Sequence, residues 1–256
     1  MSSDNTALGD RMKAYEKVDS IQFSGTEPVI ARLDGRAFHS LTRGFNKPFD
    51  DRFISWMDST CNCLLEEINP IISYVQSDEI SLVFKNKTED TQPPFGGKGY
   101  KLVSVLASMT TGYFNKIRYK ECGLSVKPAN FDCRAFIVPT ESEAINYLLW
   151  RYRDCRRNSV LSFSQCEFGK KKIFGINISQ LLEKIDSNNE IRERWNAVSK
   201  RNKYGVFMRK EPYECSAVFN GRTVNVTRSK VVKLNIFEDN LTHDELIDFV
   251  FGKKRT

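Results

Sequence analysis

Tyr74-Val75-Gln76-Ser77-Asp78-Glu79-Ile80-Ser81-Leu82-Val83-Phe84 decides how the rest of the chain is read. Two apolar runs flank a polar Gln-Ser-Asp-Glu tip. Ile80, Leu82 and Phe84 alternate with Ser81 and Val83, which is the period of a strand. Ile71 to Val75 supplies a strand before the tip. The stretch is therefore expected to be a tight hairpin over 71–84, with two adjacent carboxylates at its turn. Ser-Asp is ordinary turn chemistry, so the hairpin alone is weak evidence of function. A second stretch shifts the balance. Pro28-Val29-Ile30-Ala31-Arg32-Leu33-Asp34-Gly35-Arg36 reads as a strand over Val29–Leu33, followed by a turn that begins at Asp34-Gly35. Two strands that each end in a carboxylate suggest a shared hard cation, which binds oxygen ligands.

Working outward, Asp50 or Asp51 caps a helix whose apolar residues, Phe53, Met57, Cys61, Leu64, Leu65 and Ile68, recur at helical spacing. Asn69-Pro70 stops it. Leu102, Val105, Leu106, Met109, Tyr113 and Ile117 mark a second core helix, and Phe131 to Val138 a fourth strand. Between hairpin and helix, Gly96-Gly97-Lys98-Gly99 does not follow a strand into a Gly-Lys-Ser/Thr signature, so it reads as a loop rather than a phosphate cradle. The order β-α-β-β-α-β is that of a palm-type, ferredoxin-like α+β core with an antiparallel sheet. In that unit the third strand lies between the first and second. Asp34 and Asp78 then fall at one edge of the sheet, although they are far apart in sequence.

The pattern changes after residue 140, so residues 1–139 are read as the palm and 140–256 as a helical and β-hairpin extension packed on it, the two forming one structural unit. Glu141 to about Phe163 is helical and carries Arg151, Arg153, Arg156 and Arg157. These arginines form either a phosphate-binding face or a solvated face paired with Asp154. Short helices follow over 178–185 and 188–195. Gly205 to Arg209, Tyr213 to Phe219 and Arg222 to Thr227 read as strands, with Asn220-Gly221 as a hairpin turn. Thr242 and Glu245 form a capping box for a last helix, Asp244 to Phe251. A short helix around Met12–Val18 and a basic tail, 252–256, complete the chain.

Composition narrows the chemistry. Lys and Arg number 39 against 32 Asp and Glu, a net charge of +7, which favours an acidic partner. The seven cysteines include no Cys-x-x-Cys pair, and there are two histidines, so a zinc site is not expected. No window is apolar enough to span a membrane, and the first residues carry Asp4 and Asp10. A cytoplasmic location is expected, with a mitochondrial one left open. Two aspartates on neighbouring strands are the minimum for nucleotidyl transfer assisted by two Mg²⁺ ions. Gly35 offers a backbone carbonyl as a further ligand, and Arg36, His39 and Lys47 are placed to neutralise phosphate charge.

Arg32-Leu33-Asp34-Gly35-Arg36-Ala37-Phe38-His39, Gln76 to Phe84, Phe131-Asp132-Cys133-Arg134 and Val226-Thr227-Arg228-Ser229-Lys230 together resemble the tRNA-histidine guanylyltransferase superfamily. The resemblance runs from about residue 8 to 235. It implies a transferase that adds nucleotides to the 5′ end of tRNA in the 3′-to-5′ direction, and a homotetramer. It implies Asp34, the Gly35 carbonyl and Asp78 as metal ligands and Glu79 as the neighbouring catalytic acid. It further implies Gly35, Arg36, Ala37, Phe38, His39, Lys47, Asp50, Ser77 and Lys101 as nucleotide contacts. Mg²⁺, ATP, GTP and other nucleoside triphosphates are the implied cofactor and substrates. The tRNA, held by its 5′ end and acceptor stem, is the implied partner, with Arg151, Arg156, Arg157 and Asn158 as candidate RNA contacts.

One segment departs from the family pattern. Where eukaryotic guanylyltransferases carry His-Ile-Asn-Asn-Leu-Tyr-Asn, this chain has Arg156-Arg157-Asn158-Ser159-Val160-Leu161-Ser162. That form resembles the guanylyltransferase-like branch, whose members favour template-dependent repair of tRNA 5′ ends. Strict addition of one G to histidine tRNA, a nucleotide cyclase and a tRNA-binding protein without catalysis are the competing readings. The basic stretches at 151–157, 170–172 and 228–233 favour an RNA substrate.

Overall fold

A computed structural model describes residues 22–24, 26–86, 93–219, 222–237 and 241–252. The expected helix near Met12–Val18, the Asn220-Gly221 turn and most of the basic tail lie outside these residues. Among the described residues six strands form a single antiparallel sheet: β1 (Val29–Gly35), β2 (Ile72–Gln76), β3 (Glu79–Phe84), β4 (Phe131–Ile137), β5 (Val206–Phe219) and β6 (Arg222–Leu234). Their order across the sheet is β4-β1-β3-β2-β5-β6, so β3 does lie between β1 and β2. The palm-like core continues directly into β5 and β6 through pairing of Ser73–Val75 with Val206–Met208.

Helices cover both faces. On one, α2 (Asp51–Ile68) and α3 (Gly99–Cys122) pack on Val29, Ala31, Leu33, Val75, Ile80 and Leu82. On the other, α4 (Glu141–Phe168) and the C-terminal α8 (His243–Phe251) cover Ile30, Ile72, Tyr74, Val83 and Phe207. With both faces covered, every residue of β2 and β3 is buried, including Ser81. The far half of α4 carries a third cluster with α5 (Ile178–Asp186) and α6 (Asn189–Ala197), built on Val160, Phe163, Leu181 and Ile185.

Several boundaries differ from the sequence reading. β1 does not turn at Asp34: Asp34 stays paired with Glu79 and Asp132, and Gly35 with Phe131, so the strand runs on through both. The turn follows instead, with Ala37 in the left-handed region at φ 56° before a one-turn helix, α1 (Phe38–Leu41). The two strands expected over 205–219 are one strand. Past Met208 it pairs only with β6, and proline is tolerated on such an edge, so Pro212 does not break it. α3 and α4 are longer than expected at one or both ends. A further helix, α7 (Lys200–Tyr204), capped by Ser199, was not anticipated.

Candidate active site

The backbone brings the two acidic segments together. The amide of Gly35 donates to the Asp78 carbonyl at 3.1 Å, joining the end of β1 to the hairpin tip. Ser77 takes a positive φ of 45° there, a tight turn that leaves its side chain in solvent. Residues paired across neighbouring antiparallel strands share a face, so Asp132, Asp34 and Glu79 form one row across β4, β1 and β3. The Asp34 side chain is 38% exposed in that row. Burial pushes the Asp78 carboxyl up to about 6, and the negative charges of Asp34 and Glu79 push the same way. Its own amide and the Ser77 hydroxyl oppose the rise without cancelling it. Crowded carboxylates of this kind hold a proton or a cation in common.

Glu79 is different. Its carboxylate takes two bonds from Arg151, Nε to Oε1 at 2.7 Å and Nη2 to Oε2 at 2.6 Å. Gln76 and Ser81 lie 3.4 Å from the same Oε1. Glu79 is therefore an ion-paired, buried acid that anchors α4 to the sheet. Glu79, expected as the neighbouring catalytic acid, thus has an ion-pair partner, and Arg151, expected as an RNA contact, is buried against the sheet instead of open on the surface. Arg151 is 8% exposed and also bonds Asp154 at 3.1 Å. Arg157 and Asn158 both donate to that same Asp154, at 2.6 and 3.2 Å, while remaining exposed. Arg156 is exposed as well.

The candidate nucleotide contacts divide in the same way. Arg36, Ala37, His39 and Ser77 are exposed near the edge formed by Asp34 and the hairpin, and Lys47 is exposed in the loop before α2. Phe38 is a core residue, its ring against those of Phe53, Phe114 and Phe131. A Cβ at residue 35 would sit 2.4 Å from that ring, so glycine there lets the core close under the site. Asp50 is 5% exposed and caps α2, accepting from the amides of Arg52 and Phe53, and from that of Asn46, each at 3.1 Å. Burial alone would raise its pKa, but these amides and the Arg52 guanidinium hold it below the usual carboxylate value. Its side-chain contacts within the chain are those of a helix cap. Lys101 sits in the first turn of α3, beside Leu102, which lines a crevice with Val29 and Phe84. That is the opposite end of the sheet from Asp34 and Asp78, so the fold of one chain does not bring Lys101 to the site.

Two residues of the site were absent from the sequence-based set. Arg32 lies 3.9 Å from both Asp34 and Glu79, and its buried Nε has no hydrogen-bond partner among the described residues. Asp132 completes the acidic row. Strand alternation carries the signal for both, since Arg32 is two residues before Asp34 and Asp132 opens the fourth strand. Among the described residues no three His, Cys, Asp or Glu side chains come together as a metal site. A cation held by Asp34 and Asp78 would thus need backbone and substrate oxygens, the usual manner of Mg²⁺.

The family model described as tRNAHis guanylyltransferase matches residues 9–139, which hold both acidic segments. The chain belongs to the tRNAHis guanylyltransferase family. It is 29% identical over 97% of its length to an uncharacterized protein, R259, of Acanthamoeba polyphaga mimivirus, covering 90% of that protein. It is 35% identical to the probable tRNA(His) guanylyltransferase of Homo sapiens over 52% of this chain, a match that spans only 45% of the human protein. Among solved structures it resembles a bacterial tRNA(His) guanylyltransferase-like protein in complex with GTP. The TM-score is 0.75 and the identity 30%, over 96% of this chain and 99% of the other. A bacterial tRNA(His) guanylyltransferase-like protein in complex with ATP gives a TM-score of 0.74 and 32% identity, over 86% and 92%. The guanylyltransferase of Saccharomyces cerevisiae shares the fold, with a TM-score of 0.65 at 22% identity.

Proposed function

We propose that this protein adds nucleotides to the 5′ end of tRNA in the 3′-to-5′ direction, with the opposing acceptor strand choosing each nucleotide. The crowded Asp34–Asp78 pair at the hairpin edge carries the reading, because nucleotidyl transfer needs concentrated negative charge beside exposed cations. The likeness to ATP- and GTP-bound bacterial proteins supports nucleoside triphosphates as substrates. In the first step a 5′-phosphate oxygen of the RNA attacks the α-phosphorus of ATP, and pyrophosphate leaves. In the second, the 3′-hydroxyl of the incoming nucleotide attacks the activated 5′-phosphorus, loses its proton, and AMP leaves. Arg36, His39 and Lys47 neutralise the phosphates, and Arg32 balances the acidic row from beneath. Two Mg²⁺ ions, held by Asp34, Gly35 and Asp78 with substrate oxygens, would acidify the attacking hydroxyl and offset phosphate charge.

The segment 156–162 supports template choice over a fixed G. Arg157 and Asn158 are engaged with Asp154, and Ser159 is buried, donating to the carbonyls of Arg156 and Lys203. These contacts are internal, whereas insertion of G opposite a mismatched base needs protein groups that read that base. Base pairing instead selects the nucleotide and orients its 3′-hydroxyl together. The test uses tRNAs lacking their first nucleotide, with C, G, A or U opposite the gap, and all four labelled nucleotides. Complementary addition in each case is the expected result. Addition of G alone, confined to histidine tRNA, would defeat the proposal.

A further inference from the structure

Trp56 is 1% exposed and Trp195 packs on Phe163, but Trp150 leaves 54% of its surface in solvent. Single exposed apolar residues are common and need no role. Trp150 differs in being held rigid and in where it is held. The Arg151 guanidinium lies 4.6 Å over its ring, and Tyr147 packs against it with centroids 5.7 Å apart. Arg151 is itself fixed by its two bonds to Glu79. One face of the indole thus meets a cation, and more than half of the residue's surface is open to solvent.

The position follows from the packing of α4. Tyr147 stands on Phe136 of β4, with centroids 5.5 Å apart. Trp150 is nearly one turn further along the helix, toward the hairpin edge. Two residues in that direction along β4 brings the row of Arg134 and Arg32, and the next row is Asp132, Asp34 and Glu79. Arg153, three residues on from Trp150, is exposed, and Arg134 is exposed and lies 3.7 Å from Asp132. The result is an exposed aromatic shelf joined to the acidic row through the Arg151 guanidinium.

We propose that the open face of Trp150 is a stacking platform for a nucleobase at the reaction site, a subsite that rests on the nucleotidyl-transfer reading above. The base belongs either to the incoming nucleoside triphosphate or to the 5′ terminus of the RNA. Stacking accepts any base because every base has a π face, which suits a site where the template makes the choice.

The test is a fluorescence titration of the full chain, using a GTP analogue with a non-hydrolysable α–β bridge, or a 5′-monophosphorylated tRNA lacking its first nucleotide. Binding is followed independently by filter retention. Quenching that disappears in Trp150→Phe is expected with one of the two, and the ligand that quenches identifies the source of the base. For that ligand, Trp150→Ala should raise KM roughly tenfold to a hundredfold, with a smaller change in kcat. Trp150→Phe should restore most of the loss and Trp150→Leu should not, with all variants melting near the wild-type temperature. Quenching by a bound ligand without nucleotide addition would defeat the proposed function and leave the platform standing. Binding of both ligands without Trp150 quenching, or equal rescue by Leu and Phe, would overturn the platform. So would Trp150 emission that shifts with protein concentration alone, which would assign the ring to a contact between copies. If neither ligand binds, platform and function fall together.

Discussion

At the scale of single residues, Asp78 and Glu79 show how neighbouring acids can be given opposite tasks. Glu79 has a guanidinium bonded to both oxygens, so its charge is matched inside the fold. Asp78 has no salt bridge among the described residues, and the loss of water with the like charges of Asp34 and Glu79 outweighs its own amide and the Ser77 hydroxyl, pushing it up to about 6. A carboxyl whose folded pKa lies above its ordinary 3.8 costs the metal-free fold stability as pH rises from about 4 through 6. Asp78→Asn removes that cost. The variant should melt a few degrees higher than wild type at pH 7 without metal, and the gain should fade near pH 4. It should also lose the stabilisation given by millimolar Mg²⁺ and at least about a thousandfold in nucleotide addition. Calorimetry with and without Mg²⁺, beside a single-turnover assay, checks both. A metal-free melting point below wild type at pH 7, or near-normal turnover, would count against the assignment.

At the scale of elements, α4 decides which arginines remain available. Its helical period puts Arg151 under the sheet-facing side with Leu148 and Cys155, while Arg153, Arg156 and Arg157 stay outside. If the outer side meets tRNA phosphates, Arg156→Gln with Arg157→Gln should flatten the log–log salt dependence of tRNA binding by up to about two units. An unchanged slope would mark this as a solvated surface. The difference between Arg151 and Arg156 was not legible from composition, because both read as cations on one helix. It became legible only when the register of β3 placed Glu79 beneath the fourth turn. The converse holds for the hairpin, where local alternation, the order β-α-β-β-α-β and the register rule alone put Asp34 beside Asp78. Phe38 and Asp50 make a related point, since both side chains are engaged inside the fold, one in the aromatic core and one in the cap of α2. A motif shows that residues travel together, but not which of them serve the ligand and which the core. Likewise the break expected near Pro212 failed because a proline's effect depends on whether a second neighbouring strand is present.

At the scale of the whole molecule, the sequence resemblance implies a tetramer, and the end of the sheet is where we propose that it forms. Beyond Met208, β5 and β6 continue as a two-stranded ribbon about 35 Å long. Tyr213, Cys215, Ala217 and Phe219 of one strand share a face with Val224 and Val226 of the other. A ribbon of two strands is marginal by itself, and the apolar side of this one has Phe219 68% exposed. Light scattering should give a mass several times that of the 29.5 kDa chain, and Phe219→Glu with Val224→Glu should lower it. A monomeric wild type, or a variant of undiminished mass, would remove the ribbon from the assembly. The joining of β5 to β2 has another consequence, which concerns the order in which the chain can mature. The segment matched by the family model ends at residue 139, before β5 and before Arg151. A nascent palm of that length has an uncovered edge at β2 and a Glu79 whose guanidinium has not been synthesised. Open edges invite pairing with other chains. Synthesis must run some 70 residues past the recognisable palm before Val206–Met208 can close it, and until then the edge must be shielded from other chains. A fragment ended at residue 139 should accordingly collect in the insoluble fraction, whereas one ended at 237, with the sheet complete, should stay in solution in larger part.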